Sequence, residues 1–295
     1  MFIQGLKNDM MLYLLDYSTL YIVSIGQFKY KIGYGSTPMN RRQFFLKAAI
    51  SLLPGLAATG PWHSLALAAG IKKSTRTKAE IAIIIDDIGF SRARAHKFLD
   101  IGIPLTFSVL PRITFTRELA DTLHCAGHEI MLHQPMEPVD AHYNPGPGAL
   151  YTDFVNKEIT AAINENISEI PHVTGVNNHM GSKFTADGNK MRSALKVVKE
   201  RKLFFVDSMT THLSAGYQTA SRLGISTARR NIFLDNHIEV PAILTQLDKL
   251  QRRALKKGRA LAIGHPFPET VAAIDIFSRR MKMPGVKFVP VSRVL

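Results

Sequence analysis

Residues 81–89 of the chain read IAIIIDDIG, an apolar run followed directly by two aspartates and a glycine. A short run rich in β-branched residues and closed by turn residues is typical of a strand that is buried on both faces. Such strands belong to parallel sheets that helices cover. Polar residues at the end of such a strand are candidates for a functional site, because the carboxyl ends of parallel strands carry the catalytic groups of barrel enzymes.

Similar apolar runs recur downstream and alternate with longer segments of helical periodicity. The predicted strands cover residues 81–85, 105–109, 129–132, 173–177, 203–206, 232–234, 260–263 and 286–289. The predicted helices cover residues 91–99, 115–126, 153–167, 190–202, 240–257 and 269–281. This alternation indicates βα units on a parallel sheet.

The number of units favours one domain. Seven or eight βα units follow one another without a break in composition, so residues 81–295 are expected to form a single closed or nearly closed (β/α)7-8 barrel. An open doubly wound sheet is the alternative. No G-x-G-x-x-G or G-x-x-x-x-G-K motif follows any predicted strand, which argues against a nucleotide site.

The first 80 residues do not share this pattern. Arg41 and Arg42 precede a moderately apolar stretch at residues 48–67, which ends in the small-residue sequence around Ala68. These are the parts of a twin-arginine export signal with cleavage after Ala68. Prolines and glycines interrupt the apolar stretch, which disfavours the alternative of a membrane anchor.

The export signal gives an expected order of segments. Residues 1–38 are a leader or lie before the true start at Met39, residues 39–68 are the signal peptide, residues 69–80 are a linker, and residues 81–295 are the barrel. The mature protein is then expected in the periplasm of a bacterium or outside the cell. It contacts the membrane only transiently, through the signal.

The chain of 295 residues carries a formal net charge of +14, from 37 Lys and Arg against 23 Asp and Glu. Residues 1–80 hold ten basic and three acidic residues, a balance of +7, so half of the excess lies in the predicted leader, signal and linker. The charge is therefore explained without nucleic acid, and no nucleic-acid partner is expected. A single cysteine, Cys125, excludes an intramolecular disulfide framework and a multi-cysteine zinc site.

Six predicted strands run directly into polar residues, and these are the candidate site. The residues are Asp86-Asp87, His133, Asn177-Asn178-His179, Asp207, Asp235 and His265. In a parallel barrel these positions meet at one mouth, where carboxylates and imidazoles suit a divalent metal, with Zn²⁺ as the best match. Because successive strand residues face opposite sides, Asp86 and Asp87 are expected to have different neighbours, one serving as a ligand and the other as a base.

The motifs at these strand ends point to a family. They read IDDIG at residues 85–89, GHEIMLHQPMEP at 127–138, GVNNHMGS at 175–182, FVDS at 205–208 and IGHP at 263–266. In this order they resemble the divergent polysaccharide deacetylases, a branch of the carbohydrate esterases that share the NodB-homology barrel. The resemblance covers the whole predicted domain. It implies a distorted (β/α)7-8 barrel, a divalent metal and removal of an N-acetyl group from an amino sugar.

The resemblance also implies roles for single residues. Asp86 matches the catalytic base and Asp87 the metal-binding aspartate, while His133 matches the first metal histidine and His265 the histidine that acts as general acid. Glu137 stands where the second metal histidine is expected. His179 is therefore the expected third ligand, with Glu137 as a competing ligand or a group that orients His133. The remaining supporting or alternative ligands are Asn178, Asp207 and Asp235.

Together these features predict an exported, metal-dependent hydrolase that removes an N-acyl group, such as acetyl, from a polysaccharide or amino sugar of the cell envelope. The alternative from a different class is a catalytically silent barrel that binds envelope glycan or a protein partner. A less favoured hypothesis is that the chain is an unrelated barrel metallohydrolase that acts on a small amide.

Overall fold

A computed structural model of the chain describes residues 10–14, 21–25, 28–32, 79–281 and 285–295. The chain divides into two compact units, residues 1–70 and residues 71–295. The described part of the first unit is an antiparallel sheet of β1 (Met10–Leu14), β2 (Tyr21–Ile25) and β3 (Phe28–Ile32), in the order β1-β2-β3. The predicted signal peptide at residues 39–68 lies outside the described residues.

The second unit alternates strands and helices. Its strands are β4 (Ala79–Ile88), β5 (Thr106–Val109), β6 (Glu129–Met136), β7 (Val173–Met180), β8 (Phe204–Asp207), β9 (Thr227–Arg229), β10 (Ile232–Phe233), β11 (Arg259–Gly264) and β12 (Val286–Phe288). Its helices are α1 (Arg92–His96), α2 (Thr116–Cys125), α3 (Asn156–Glu169), α4 (Gly188–Glu200), α5 (Gly216–Arg222), α6 (Val240–Lys257) and α7 (Pro268–Arg280). Among the described residues, no helix has both the length and the hydropathy that a bilayer span requires.

The strands of the second unit form one parallel sheet in the order β10-β11-β4-β5-β6-β7-β8-β9, and β12 pairs with the first residues of β4. β9 pairs with β8 while β10 pairs with β11, and only Arg230 and Asn231 separate β9 from β10. One chain segment therefore joins both ends of the sheet and curves it into a barrel with a break in pairing. The expected distorted (β/α) barrel is confirmed.

The isoleucine run of β4 is buried on both sides of the sheet. Ile81, Ile83 and Ile85 pack in the large cluster that includes the buried faces of the helices. Ala82 and Ile84 pack in a second cluster with inward residues of the other strands, which fills the barrel interior. Full burial of a large apolar side chain contributes roughly 1.5–3 kcal/mol. The run is continuous rather than alternating because both faces are covered.

The barrel interior is apolar at one end and polar at the other. Its apolar plug consists of Ala82, Ile84, Met131, Phe204, Val206, Leu261, Ile263, Val289, Val291 and Val294. Gly175 of β7 leaves room for the ring of Phe204, which a Cβ at this position would meet. Two residues further along their strands, Asp86, His133 and Ser208 continue the inward faces of Ile84, Met131 and Val206 and are buried. This polar layer lies at the carboxyl ends of the strands.

Two elements of the second unit are absent from the sequence-based prediction. β9 has three residues and no apolar run, and α5 begins at a glycine and buries only Gly216 and Ala220. Both are stabilised by their neighbours rather than by local periodicity. In addition, Ala79 and Glu80, which the prediction places in the linker, are the first residues of β4.

Candidate metal centre

The strands carry six of the predicted polar residues to one mouth of the barrel. β4 supplies Asp86 and Asp87, β6 supplies His133, and β7 supplies His179. Asp235 follows β10, and His265 follows β11. Because the strands are parallel, their carboxyl ends lie together. The residues that the structure brings together are Asp86, Asp87, His133, His179, Asp235 and His265.

A bulge in β4 turns Asp87 towards this mouth. The pairing with β5 shifts register between Ile85 and Ile88, and Asp87 has a φ of 55°. This left-handed conformation costs a non-glycine residue about 1–3 kcal/mol, and residues that adopt it cluster at functional sites. The expectation that Asp86 and Asp87 face opposite sides is therefore wrong. Both carboxylates approach His133 Nε2, at 3.6 Å from Asp86 Oδ2 and 3.2 Å from Asp87 Oδ1.

Asp87, His133 and His179 each direct one donor atom to a common point. Asp87 Oδ1 lies 3.2 Å from His133 Nε2 and 3.0 Å from His179 Nδ1, and the two imidazole nitrogens are 3.2 Å apart. Three ligands that bind zinc tetrahedrally at about 2.0–2.1 Å are about 3.3 Å from one another. The three donors thus form a possible metal site that needs little rearrangement.

The oxygen that faces the two imidazoles supports the same conclusion. Asp87 Oδ1 is buried and makes no well-aligned hydrogen bond. A buried carboxylate oxygen without a partner is unusual and requires an explanation. Two imidazoles and a carboxylate are a donor set that zinc takes in catalytic sites with an open fourth position. The residues present therefore fit a divalent cation.

Asn177 orients the first histidine. Its Nδ2 donates to Asp86 Oδ1 at 2.8 Å, so its Oδ1 faces His133 Nδ1 at 2.7 Å and accepts a hydrogen bond from the Nδ1–H group. Ser108 Oγ also donates to Asn177 Oδ1. With the Nδ1 proton fixed in this way, the lone pair of neutral His133 lies on Nε2, the atom that faces Asp87 and His179. Such partners behind a ligating histidine fix its tautomer and ring orientation.

The surroundings push the pKa values of the two aspartates apart. Burial raises the pKa of Asp86 above its ordinary value, although His133 and His265 act in the opposite direction. Burial also acts to raise the pKa of Asp87, but the adjacent His133 and His179 outweigh it and hold that pKa well below its ordinary range. Divergent pKa values in a pair of carboxylates are the condition for giving them different tasks.

His265 is held by Asp235. The Asp235 carboxylate accepts from the backbone N–H of His265 at 2.6 Å and from its Nδ1 at 3.0 Å, and it also accepts from Thr270 Oγ1. His265 Nε2 consequently faces Asp87 Oδ2, 3.9 Å away. Burial acts to lower the pKa of His265, but Asp235, Asp86 and Asp87 outweigh it and raise that pKa to about 9.

Glu137 does not take part in the centre. Its Oε2 accepts from the backbone N–H and the hydroxyl of Thr152, and its Oε1 accepts from Lys183 Nζ at 2.7 Å. Its carboxylate therefore ties the long loop after β6 to the segment after β7. The prediction of Glu137 as a competing ligand or as the partner of His133 is corrected to this structural role, because Asn177 occupies the position behind His133.

Two further predicted residues brace the mouth without reaching the donor group. Asn178 accepts from the backbone N–H of Ser208 and donates to the Met180 carbonyl. Asp207 accepts from Ser214 Oγ and from the backbone N–H of Tyr217 at the start of α5. Asn178 and Asp207 are thus supporting residues rather than ligands.

Asn177 is one of the polar residues at the ends of the predicted strands, but its role as a bridge between Asp86 and His133 was not predicted. Its inward position follows from strand alternation two residues before His179, which is the signal that identifies it. Arg230 was also missed. It donates to the Ser208 and Met209 carbonyls and lies over the ring of Phe233, at the break between β9 and β10. No apolar run marks that segment.

Residues 83–295 match the model of a family described as divergent polysaccharide deacetylase. The chain belongs to this family. The match covers the barrel and every residue of the candidate metal centre, so the family resemblance of the five motifs is confirmed.

Relatives of this deacetylase-family chain occur in two bacteria. It is 31% identical over 212 residues to the uncharacterized protein YibQ of Escherichia coli (strain K12), which is 72% of this chain and 66% of that protein. It is 29% identical over 204 residues to an uncharacterized protein of Haemophilus influenzae (strain ATCC 51907 / DSM 11121 / KW20 / Rd), which is 69% of this chain and 72% of that protein. The chain thus spans slightly less than two thirds of the Escherichia coli relative.

A solved structure shares the fold of this family member. The crystal structure of uncharacterized protein ATU2773 from Agrobacterium tumefaciens C58 is 26% identical, with a TM-score of 0.70. The similarity covers 74% of this chain and 89% of that chain.

Proposed function

We propose that this chain is a metal-dependent hydrolase that removes an N-acetyl group from an amino sugar of an envelope polysaccharide. The observation that carries the proposal is the convergence of Asp87, His133 and His179 on one point, with Asp86 and His265 beside it. Membership of the divergent polysaccharide deacetylase family supports the substrate class. The unrelated metallohydrolase for small amides lacks such support.

Asp87, His133 and His179 would hold the cation, and zinc is the metal that best matches two imidazoles and a carboxylate. A divalent cation in this position supplies a Lewis acid for the acyl carbonyl and lowers the pKa of water. The chain contributes a prearranged donor set, since Asn177 already fixes the tautomer of His133. His179 takes the place of the second metal histidine for which the sequence offers Glu137.

Asp86 acts as the general base in this proposal. Its Oδ2 is 3.6 Å from His133 Nε2 and therefore lies beside the donor group, while Asn177 holds its Oδ1. Burial raises its pKa, which makes the ionised carboxylate a stronger proton acceptor. Asp86 is thus placed to take the proton of a water molecule that attacks the amide carbon.

His265 acts as the general acid. Asp235 binds its Nδ1 and leaves Nε2 directed at the mouth, where the leaving amine needs a proton. The raised pKa of about 9 keeps the imidazole protonated near neutral pH. Asp86 and His265 then both lie beside the donor group, where a base and an acid for amide hydrolysis are needed.

We also propose that the protein works outside the cytoplasm, in the periplasm or in secreted form. The support is the twin-arginine sequence at Arg41 and Arg42, the interrupted apolar stretch and the small residues before Ala69. An envelope glycan is then the accessible substrate, and the membrane is contacted only during export.

Acetate release tests the function. Zinc-loaded full chain is incubated with chitin oligomers and peptidoglycan fragments, and acetate is measured for the wild type and the Asp86→Asn variant. We expect the variant to release acetate roughly 10²- to 10⁴-fold more slowly while it retains zinc. Asp248→Asn, on the exposed face of α6, is the matched control and should behave as the wild type. Tight glycan binding without acetate from any substrate would refute hydrolysis and support the catalytically silent barrel.

A further inference from the structure

A cavity of about 140 Å³ opens beside the candidate metal centre, between the segment after β4 and the segment after β11. Its walls include Asp87 and His265 of the candidate site together with Phe90, Arg94 and Phe267. A group that enters this cavity therefore lies next to the residues assigned to catalysis. Its volume is below the roughly 300–1,000 Å³ of clefts that enclose a whole drug-sized ligand. It fits a substituent of a sugar or part of one ring.

The two phenylalanines give this cavity an apolar rim. Phe90 is 66% exposed, although it follows a strand whose other apolar residues are fully buried. Phe267 lies with its ring centroid 5.9 Å from that of His265. Exposed aromatic rings beside a polar site present flat apolar faces on which a sugar ring can pack.

Arg94 contributes a positive charge to the lining of this cavity and has no acidic partner among the described residues. Its neighbour Arg92 forms an ion pair with Glu118 and lies over the ring of Phe115. Among the residues that the structure describes, no carboxylate lies within ion-pair distance of the Arg94 guanidinium. Arg94 is therefore a permanent positive charge that faces the cavity, whereas Arg92, two residues away on α1, is neutralised.

We propose that this cavity is a specificity subsite for a carboxylate-bearing substituent next to the N-acetyl group, which Arg94 binds while Phe90 and Phe267 contact the sugar. The inference rests on the proposed function and names its substrate class: acidic N-acetylated glycans rather than neutral ones. The guanidinium fork matches the geometry of a carboxylate. Two sources offer that carboxylate, a lactyl ether on the amino sugar itself and a neighbouring uronic acid.

The test compares three glycans of similar length. Chitotetraose is neutral, a glycan strand of alternating N-acetylglucosamine and N-acetylmuramic acid carries lactyl groups, and N-acetylheparosan carries uronic acids. Dissociation constants and kcat/KM for acetate release are measured with zinc-loaded full chain. The wild type, Arg94→Ala, Arg94→Lys and the exposed control Arg253→Ala are compared.

We expect the wild type to prefer one acidic glycan to chitotetraose by about tenfold, the range of a hydrogen-bonded charge pair. Arg94→Ala should abolish that preference, Arg94→Lys should retain part of it, and Arg253→Ala should retain all of it. Which acidic glycan is preferred identifies the source of the carboxylate. The preference should also weaken with added salt.

The outcomes separate this inference from the proposed function. Acetate release without preference for an acidic glycan, or a preference that survives Arg94→Ala, overturns the subsite and leaves deacetylation standing. Arg94-dependent binding of an acidic glycan without acetate release supports the subsite and overturns deacetylation. Absence of both binding and acetate release with all three glycans overturns both.

Discussion

Asn177 links the proposed general base to a proposed metal ligand, because it contacts both Asp86 and His133. Asn177→Ala should weaken zinc binding by about 10- to 100-fold, the usual cost of removing a residue behind a metal ligand. Zinc affinity is measured by competition with a chelator, after unfolding curves have shown that the variant folds.

The adjacent asparagine is the control for this prediction. Asn178 is also buried but contacts Ser208 and Met180 rather than the centre. Asn178→Ala should therefore lower the free energy of unfolding while zinc affinity stays near the wild-type value. Equal zinc affinities in the wild type and Asn177→Ala would contradict the role given to Asn177.

Asp235 orients His265 and contributes to the rise of its pKa. Asp235→Asn should lower the rate of acetate release by about 10²-fold or more, without loss of zinc. The raised pKa of His265 means that its acidic form is lost as the pH rises through the folded-state value. Since the carboxylate of Asp235 contributes to that rise, the alkaline limb of the pH–rate profile should move to lower pH in the variant.

Thr270 provides the comparison at the same carboxylate. Its hydroxyl donates to Asp235 Oδ2, the oxygen that does not bind His265 Nδ1. Thr270→Val should leave the alkaline limb in place. A limb that is unmoved in Asp235→Asn, or moved equally in both variants, would show that Asp235 does not act through His265.

At the scale of elements, Glu137 fixes the loop between β6 and α3 through Thr152 and the segment after β7 through Lys183. Glu137→Gln should reduce the free energy of unfolding by about 1–3 kcal/mol at pH 7. Although partial burial acts to raise it, the contacts with Lys183 and Thr152 hold the pKa of Glu137 below its ordinary value. The stabilisation is therefore present above the unfolded-state pKa and is lost as the pH falls through the folded-state pKa.

Urea unfolding at several pH values between neutral and acidic checks this loop contact. The difference between the wild type and Glu137→Gln should shrink towards acidic pH. Glu200→Gln, at the exposed end of α4, should stay within about 0.5 kcal/mol of the wild type throughout. A difference for Glu137→Gln that is constant with pH would show that the ionised carboxylate is not what holds the loop.

The elements show which parts of the fold could be predicted. The apolar runs of the strands and the polar residues that end them are local signals. Asp86, Asp87, His133, His179 and His265 could therefore be predicted from the sequence. The bulge at Asp87 depends on pairing with β5, and α5 depends on tertiary contacts, so neither leaves a local pattern. The choice between Glu137 and His179 depended on Lys183 and Thr152, which are distant from Glu137 in the chain.

At the scale of the whole molecule, three strands supply the three donor residues 87, 133 and 179, so the centre exists only in the folded barrel. Twin-arginine transport carries proteins that are already folded, so the proposed export route is compatible with a centre that forms only on folding. Replacing Arg41 and Arg42 by lysine in the full chain should make the precursor accumulate in the cytoplasm. Fractionation and mass spectrometry of the N-terminus check this prediction.

The matched control for export replaces Lys72 and Lys73 by arginine, because these basic residues lie beyond the predicted cleavage after Ala68. That variant should be exported and cleaved as the wild type is. Efficient export of the Arg41→Lys, Arg42→Lys variant, or a mature N-terminus upstream of residue 48, would contradict the proposed signal.

The central claim is that the mouth of the barrel holds a catalytic divalent cation on Asp87, His133 and His179. Anomalous diffraction at the zinc edge, from crystals of the zinc-loaded chain, tests it most directly. The expected result is one zinc peak about 2.0–2.2 Å from Asp87 Oδ1, His133 Nε2 and His179 Nδ1, and no peak there in His179→Ala. Zinc bound elsewhere with no peak at these three atoms, or a peak unchanged in His179→Ala, would contradict the claim.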